Sequence, residues 1–268
     1  MIRDITLGQY YNADSVIHRL DPRTKLFISV IFLVDLFLTK NPLYFTLLGV
    51  LLILYIGLSR VPISFILRGL KPVWILLAFS FLMNLFERTG TPVVTVGPIA
   101  VTDTGIRNGC FVVLRMIMMI LGTSIMTYTT QPTDLTDGME QGLGWMRHLG
   151  VPVHDIAMML SIALRFIPVL IEELNRVMQA QTSRGASLDE GSIMERIKAL
   201  VPICIPLFVS ATRRADALAV AMESRCYQGG GRTKLHPLKR SIPDYIAYAI
   251  MWIVFFTGVF VMFHAFSA

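Results

Sequence analysis

The sequence predicts an all-α membrane protein with about five transmembrane helices and a cytoplasmic domain of long amphipathic helices. Three observations carry this. Of 268 residues, 54% are apolar and only 16% charged, which is too apolar for a water-soluble core. Several runs are long enough and free enough of charge to cross a bilayer as helix. Lys and Arg gather in alternate segments between those runs, as they do in cytoplasmic loops.

The elements follow in order. Met1-Ile2-Arg3-Asp4-Ile5 lacks the charged, apolar, small-residue order of a cleaved signal, so the first run is expected to be a permanent span. Residues 26–38 and 43–58 are two apolar runs divided by Lys40-Asn41-Pro42, a polar hairpin separating two short helices. Residues 73–86 form a third run. Residues 111–128, extended back toward Ile106, form a fourth that tolerates Arg115. The clearest is 245–266, 22 residues without a charge. The second and third are short, which implies thinned bilayer or helix ends buried in protein. Residues 89–105, with Thr-Gly-Thr-Pro and alternating valines, read as an external loop holding a small hairpin.

Charge sets the orientation. Residues 1–25 hold four Lys and Arg, 59–72 hold three and 131–243 hold thirteen, whereas the opposite side receives only Lys40, Arg88 and Arg107. This predicts a cytoplasmic N-terminus and an extracellular C-terminus. The same count accounts for the net charge of +6, so a nucleic-acid partner is not expected. The chain thus divides into an N-terminal membrane region of four helices (residues 1–130), a cytoplasmic domain (residues 131–243) and a last span within residues 244–268.

Residues 131–243 are too polar for simple crossings and too regularly apolar for disorder. From Asp155, the positions Ile156, Met159, Leu160, Ala163, Ile167, Leu170, Leu174, Val177 and Met178 recur at three- and four-residue steps. They predict one helix to about Ser183. A second starts near Ser192, with Glu195 completing a capping box, bends at Pro202 and Pro206, and resumes through Leu207, Phe208, Ala211, Ala215, Leu218, Ala219 and Met222.

Both helices end alike. Ala180, Ser183 and Arg184 recur 41 residues later as Ala221, Ser224 and Arg225. A cation in the last turn favours the helix dipole by about 0.3–1 kcal/mol, and Gly185 is a usual helix terminator, so each end alone needs no function. The repetition adds to that: two similar projections suggest two similar receivers. The planar arginine fork bonds carboxylates or helix-end carbonyls bidentately.

On these residues the chain resembles the transmembrane T component of energy-coupling factor transporters, the vitamin and metal importers of prokaryotes. Leu20-Asp21-Pro22-Arg23-Thr24-Lys25-Leu26 is similar to that family's entry segment, and residues 214–225 are similar to its second coupling helix. The resemblance implies a prokaryotic cell-membrane scaffold with a cytoplasmic coupling domain. It also implies two ABC-type ATPase subunits receiving Ser183-Arg184-Gly185 and Ser224-Arg225-Cys226, with ATP and Mg on those partners and no cofactor on this chain. A membrane-embedded S component would bind the substrate. Both termini depart from the family's Ala-Arg-Gly, and Cys226 in place of glycine leaves the second helix end less clearly terminated. Ala211, Ala215, Leu218, Ala219 and Met222 are expected to pack the two coupling helices together, the alanines permitting close crossing.

Other chemistry finds little support. The run Gly229-Gly230-Gly231-Arg232-Thr233-Lys234 does not fit the spacing of a nucleotide-binding loop. His18, His148, His154, His236 and His264 are scattered, and Cys110, Cys204 and Cys226 lack close pairing, so neither a metal site nor a catalytic centre is expected. Asp35 and Arg115 lie inside predicted spans and could approach as a structural pair. The alternative function is a self-sufficient secondary transporter, which would place broken helices and buried charge in paired membrane repeats. The repeat found here is cytoplasmic by the charge count.

Overall fold

Proline and a side-chain cap open the first two helices of the computed structural model. It describes residues 10–39, 41–86, 92–96, 99–186, 193–227, 229, 238 and 240–267. Asp21 caps helix α1 (Pro22–Leu38) and Asn41 caps α2 (Pro42–Ser59), each accepting a hydrogen bond from the backbone two residues on. Proline at the first helical position costs nothing, because its missing N–H would be unpaired there. A short α3 (Ile63–Arg68) leads to α4 (Trp74–Leu85). Strands β1 (Pro92–Val96) and β2 (Ile99–Thr102) form the expected antiparallel hairpin, with Val94 opposite Val101. Thr102 then caps α5 (Asp103–Thr129) through Gly105 N–H at 3.2 Å. Helices α6 (Pro132–Gly142), α7 (Val153–Ser183), α8 (Ile193–Glu223) and α9 (Ile242–Ser267) complete the described chain.

The chain divides into two compact units, residues 1–138 with 238–268, and residues 139–237. In the first, α1, α2, α5 and α9 surround a core of Phe32, Leu36, Leu48, Leu52, Ile125 and Met251. Gly122 of α5 lets α1 approach closely: a Cβ there would stand 2.7 Å from the Phe32 ring. Phe27 of α1 packs on Tyr248 and Trp252 of α9, with ring centroids at 4.8 and 5.7 Å. Elsewhere the helices present large apolar side chains outward, including Leu43, Ile53, Trp74, Phe256 and Phe260, as lipid contact requires.

Four described helices are long and apolar enough to cross a membrane: α2, α5, α9 over Ile242–Phe263, and α7. Helix α1 has 17 residues and α4 only 12, the latter roughly 18 Å long, so α4 alone falls short of a crossing. That α7 is long and apolar enough is a finding the periodicity did not anticipate: its first 18 residues hold only the charges of Asp155 and Arg165, and Glu172, Glu173 and Arg176 come after them.

In the second unit, α7 and α8 pack against each other. Pro202 and Pro206 do not interrupt α8, which runs as one helix of 31 residues. Ser192 of the expected capping box lies outside the described residues, as does the side chain of Glu195.

Candidate functional site

The two arginine-tipped helix ends have the same backbone geometry. At the end of α7, Arg184 is the C-cap and Gly185 takes φ +85°. Gly185 N–H donates to Thr182 O and Ala186 N–H to Gln181 O, both at 3.0 Å. This is the paired-bond Schellman termination. At the end of α8, Cys226 N–H donates to Glu223 O at 2.9 Å and Tyr227 N–H to Met222 O at 3.1 Å, and Cys226 takes φ +55°. The sequence left this second end open because it lacks glycine; the structure corrects that. Cys226 occupies the left-handed position itself, and the fixed bonds at Met222 and Glu223 hold it there against its steric preference.

Both arginines are exposed, and among the described residues neither forms an ion pair. Beside each, the serine turns inward: Ser183 Oγ donates to Gln179 O and Ser224 Oγ to Ala221 O, both at 3.0 Å. Serine thus fills its own hydrogen-bonding need on the helix and leaves the guanidinium to project alone.

The helices run antiparallel past each other. Arg214 Nη2 lies 3.4 Å from Glu173 Oε2, and Gln181 Nε2 donates to Pro202 O at 3.4 Å. The second contact has a cause in the sequence. Pro206 has no N–H, so the carbonyl four residues before it, Pro202 O, lacks its helical partner, and Gln181 reaches it from α7. All five residues expected to pack the pair, Ala211, Ala215, Leu218, Ala219 and Met222, line one crevice of about 270 Å³ with Ile162, Phe166 and Leu170 of α7. Their alanines keep α8 low enough for those bulky side chains.

Counting from Glu173 and Arg214, each stands eleven residues before its arginine tip. Each arm is therefore about 16 Å at 1.5 Å per residue, and the tips point to opposite ends of the pair. Sequence reasoning missed Gln181, Glu173 and Arg214 as contacts. The signal was available, because the 41-residue offset that pairs Arg184 with Arg225 also pairs Glu173 with Arg214, an acid with a base.

The entry segment before and within α1 is a tie point. Asp21 N–H donates to Asp244 Oδ1 of α9 at 2.8 Å, and Asp244 Oδ2 accepts from the Ser241 N–H and hydroxyl, both at 2.7 Å. Buried Lys25 donates from Nζ to Thr129 O at 2.8 Å and to His18 O at 3.1 Å. It thereby satisfies an orphan carbonyl at the end of α5. The segment thus fastens α1 to α9 and α5. Asp35 and Arg115 do not form an ion pair. Arg115 instead donates to Thr39 O and lies 4.8 Å over the Phe111 ring, because the unpaired carbonyls ending α1 are the nearer acceptors.

No group of three His, Cys, Asp or Glu side chains converges among the described residues. His18 is held by Ser15 Oγ at Nδ1 (2.7 Å) and Tyr11 O at Nε2 (2.9 Å), and His154 Nδ1 lies 2.7 Å from Glu140. The side chain of His264, all of His236 and most of the glycine run lie outside the described residues.

Comparison with known proteins identifies relatives of the chain. The family model described as cobalt transport protein, CbiQ, matches residues 13–237. The chain is similar to the energy-coupling factor transporter transmembrane protein EcfT of Heliobacterium modesticaldum, 49% identical over 98% of this chain and 97% of the relative. It is 46% identical to the protein of the same name from Thermosediminibacter oceani, over 92% of this chain and 94% of the relative. That from Bacillus subtilis is also 46% identical, over 89% and 91%.

Proposed function

The chain belongs to the CbiQ cobalt transport protein family, among the energy-coupling factor transporter transmembrane proteins, and from that membership we propose that it is the coupling scaffold of an ATP-driven importer. It is a multi-pass membrane protein and a non-catalytic subunit. Ser183-Arg184-Gly185 and Ser224-Arg225-Cys226 dock into two ABC-type ATPase subunits, which hold and hydrolyse ATP with Mg. Closure of that pair moves α7 and α8, and the motion reorients a membrane-embedded S component that carries a vitamin or metal ion. The N-terminus is cytoplasmic and the C-terminus extracellular.

One observation carries this reading: the same helix termination, with an exposed arginine at its C-cap, is built twice by different residues. A single such end is ordinary. Two, carried on antiparallel helices with arms of equal length, suit a pair of similar receivers. A rigid helix moves as a unit, so a displacement at either tip reaches the far end of a 31-residue helix roughly 46 Å away. The apolar composition of α7 is compatible with this role, since a helix lying along a bilayer surface with one face in lipid has the same average.

The test is co-purification of the chain with its native partners. Arg184→Glu and Arg225→Glu are each expected to weaken ATPase association and to uncouple hydrolysis from uptake. Full uptake by the double variant would remove the proposal, as would substrate transport by the chain without any ATPase, which the self-sufficient transporter requires.

A further inference from the structure

Two cavities of the membrane unit share Leu58 in their linings. One is an apolar slot of about 220 Å³ between α1, α2 and α9, walled by Ile28, Phe32, Leu51, Leu54, Ile250 and Met251. The other is a cleft of about 440 Å³ before α1 and at the end of α2, lined by Asp14, Ser15, Val16, Arg19, Gly57 and Arg60. Leu58 lines both. The slot is larger than the roughly 150 Å³ apolar cavities that accept benzene-sized guests. Along α2 it runs from Leu58 to Leu51, roughly 10 Å. Its rim residues Leu54, Leu58 and Ile250 are exposed, so it opens to the surroundings of the helices, which in a membrane are lipid.

The cleft supplies the complement. It holds two guanidinium groups and one carboxylate. Arg19 is 76% exposed in its side chain and touches Asp14 Oδ1 at 3.3 Å, while Arg60 donates to Asp14 O at 3.2 Å. Arg60 is also one of two non-glycine residues with positive φ among those described, at +55°. The left-handed C-cap that it occupies favours glycine, so arginine there places a cation in the cleft, two residues beyond Leu58, at a conformational cost. A cleft with two guanidinium groups at the cytoplasmic surface, next to an apolar slot that opens toward lipid, has the chemistry of an anionic phospholipid site.

We infer that this composite cavity binds one anionic phospholipid of the cytoplasmic leaflet, its phosphate between Arg19 and Arg60 and one acyl chain in the slot beyond Leu58. The lipid fills the gap between α1, α2 and α9 and ties the loop before α1 to the end of α2. The inference rests on the orientation given above and not on ATPase docking.

The test is native mass spectrometry of the full chain, delipidated in detergent and incubated with phosphatidylglycerol, phosphatidylcholine or inorganic phosphate. One phosphatidylglycerol is expected to be retained, at least tenfold more than phosphatidylcholine, with no retention of phosphate. Arg60→Gly removes the guanidinium but suits the backbone, so it is expected to cut phosphatidylglycerol retention at least tenfold without lowering the melting temperature. Arg19→Gln should do the same, and Leu54→Trp should expel the lipid by filling the slot. Equal retention of the two lipids, phosphate binding as tight as lipid binding, or undiminished retention by the Arg19→Gln, Arg60→Gly double variant overturns the inference. Loss of lipid with ATPase association intact separates this site from the arginine tips, whose failure would leave lipid retention unchanged.

Discussion

Glu173 and Arg214 are the same position in two copies of one pattern, and they touch. They are 41 residues apart, their charged atoms lie 3.4 Å apart, and each precedes its arginine tip by the same number of residues. A contact between equivalent positions puts a local two-fold axis near the pair. The axis makes the two arms equal, so a symmetric pull on both tips turns the helices about this point without favouring either.

The pair is partly exposed, 42% for Arg214 and 25% for Glu173, so its worth to stability is about 0.2–1 kcal/mol. Its role is to fix the crossing. Glu173→Arg is therefore expected to shift the melting temperature by only a few degrees while reducing ATP-dependent uptake several-fold through like-charge repulsion. The exchange Glu173→Arg with Arg214→Glu restores the pair and should restore uptake. Uptake assays on the two variants check this, and an exchange variant as defective as the single one removes the crossing role.

Cys226 bears a steric cost that glycine would not. Left-handed backbone costs an L-residue roughly 1–2 kcal/mol, offset to some extent by the greater chain entropy that glycine loses on folding. Cys226→Gly is expected to stabilise the chain by about 1 kcal/mol, visible as a higher melting temperature, with uptake retained because Arg225 keeps its place. Cys226→Val, β-branched at the same position, should lower both. Melting curves and uptake of the two variants are sufficient, and a destabilised glycine variant contradicts the account.

What could be read from the sequence follows from how local each cause is. The two helices and the glycine-terminated end of α7 were legible because periodicity and capping act within a few residues. The hairpin of Pro92–Val96 and Ile99–Thr102 was legible for the same reason. The termination at Cys226 was not, since it depends on tertiary and backbone constraints overriding one residue's preference. Neither was the Arg115 contact with Thr39 O: which acceptor a half-buried arginine finds is set by how α5 lies against α1, and composition carries no trace of that. The Gln181 contact was half legible. Pro206 announces a free carbonyl, but not which side chain will meet it.

Gly122 is a point of close approach between α5 and α1, and its importance is steric. A methyl group at that position would meet two carbons of the Phe32 ring at 2.7 and 2.9 Å, and Phe32 is itself buried at 4% exposure. Overpacking of this kind costs about 1–3 kcal/mol. Gly122→Ala should lower the melting temperature, and Phe32→Leu added to it should recover some of the loss by removing the ring. Thermal unfolding in detergent of the two variants is the measurement, and an unchanged melting temperature for Gly122→Ala shows that the helices part without cost.

His18 gives the membrane unit a pH dependence. Its pKa lies below the ordinary histidine value, chiefly because burial disfavours the charged ring; nearby Lys25 lowers it further, while the Tyr11 carbonyl and Asp14 act the other way. The neutral ring suits its surroundings, Nε2–H donating to Tyr11 O and Nδ1 accepting from Ser15 Oγ. The unfolded chain takes up the proton first as pH falls, so the folded state loses stability as pH drops below about 6.5, and the loss is complete below the folded-state pKa. Between pH 7.5 and 5.5 the melting temperature is expected to fall, and to fall less in His18→Asn, which keeps a donor and an acceptor but cannot titrate. Parallel pH profiles of the two chains would decide it; identical slopes assign the pH dependence to other groups.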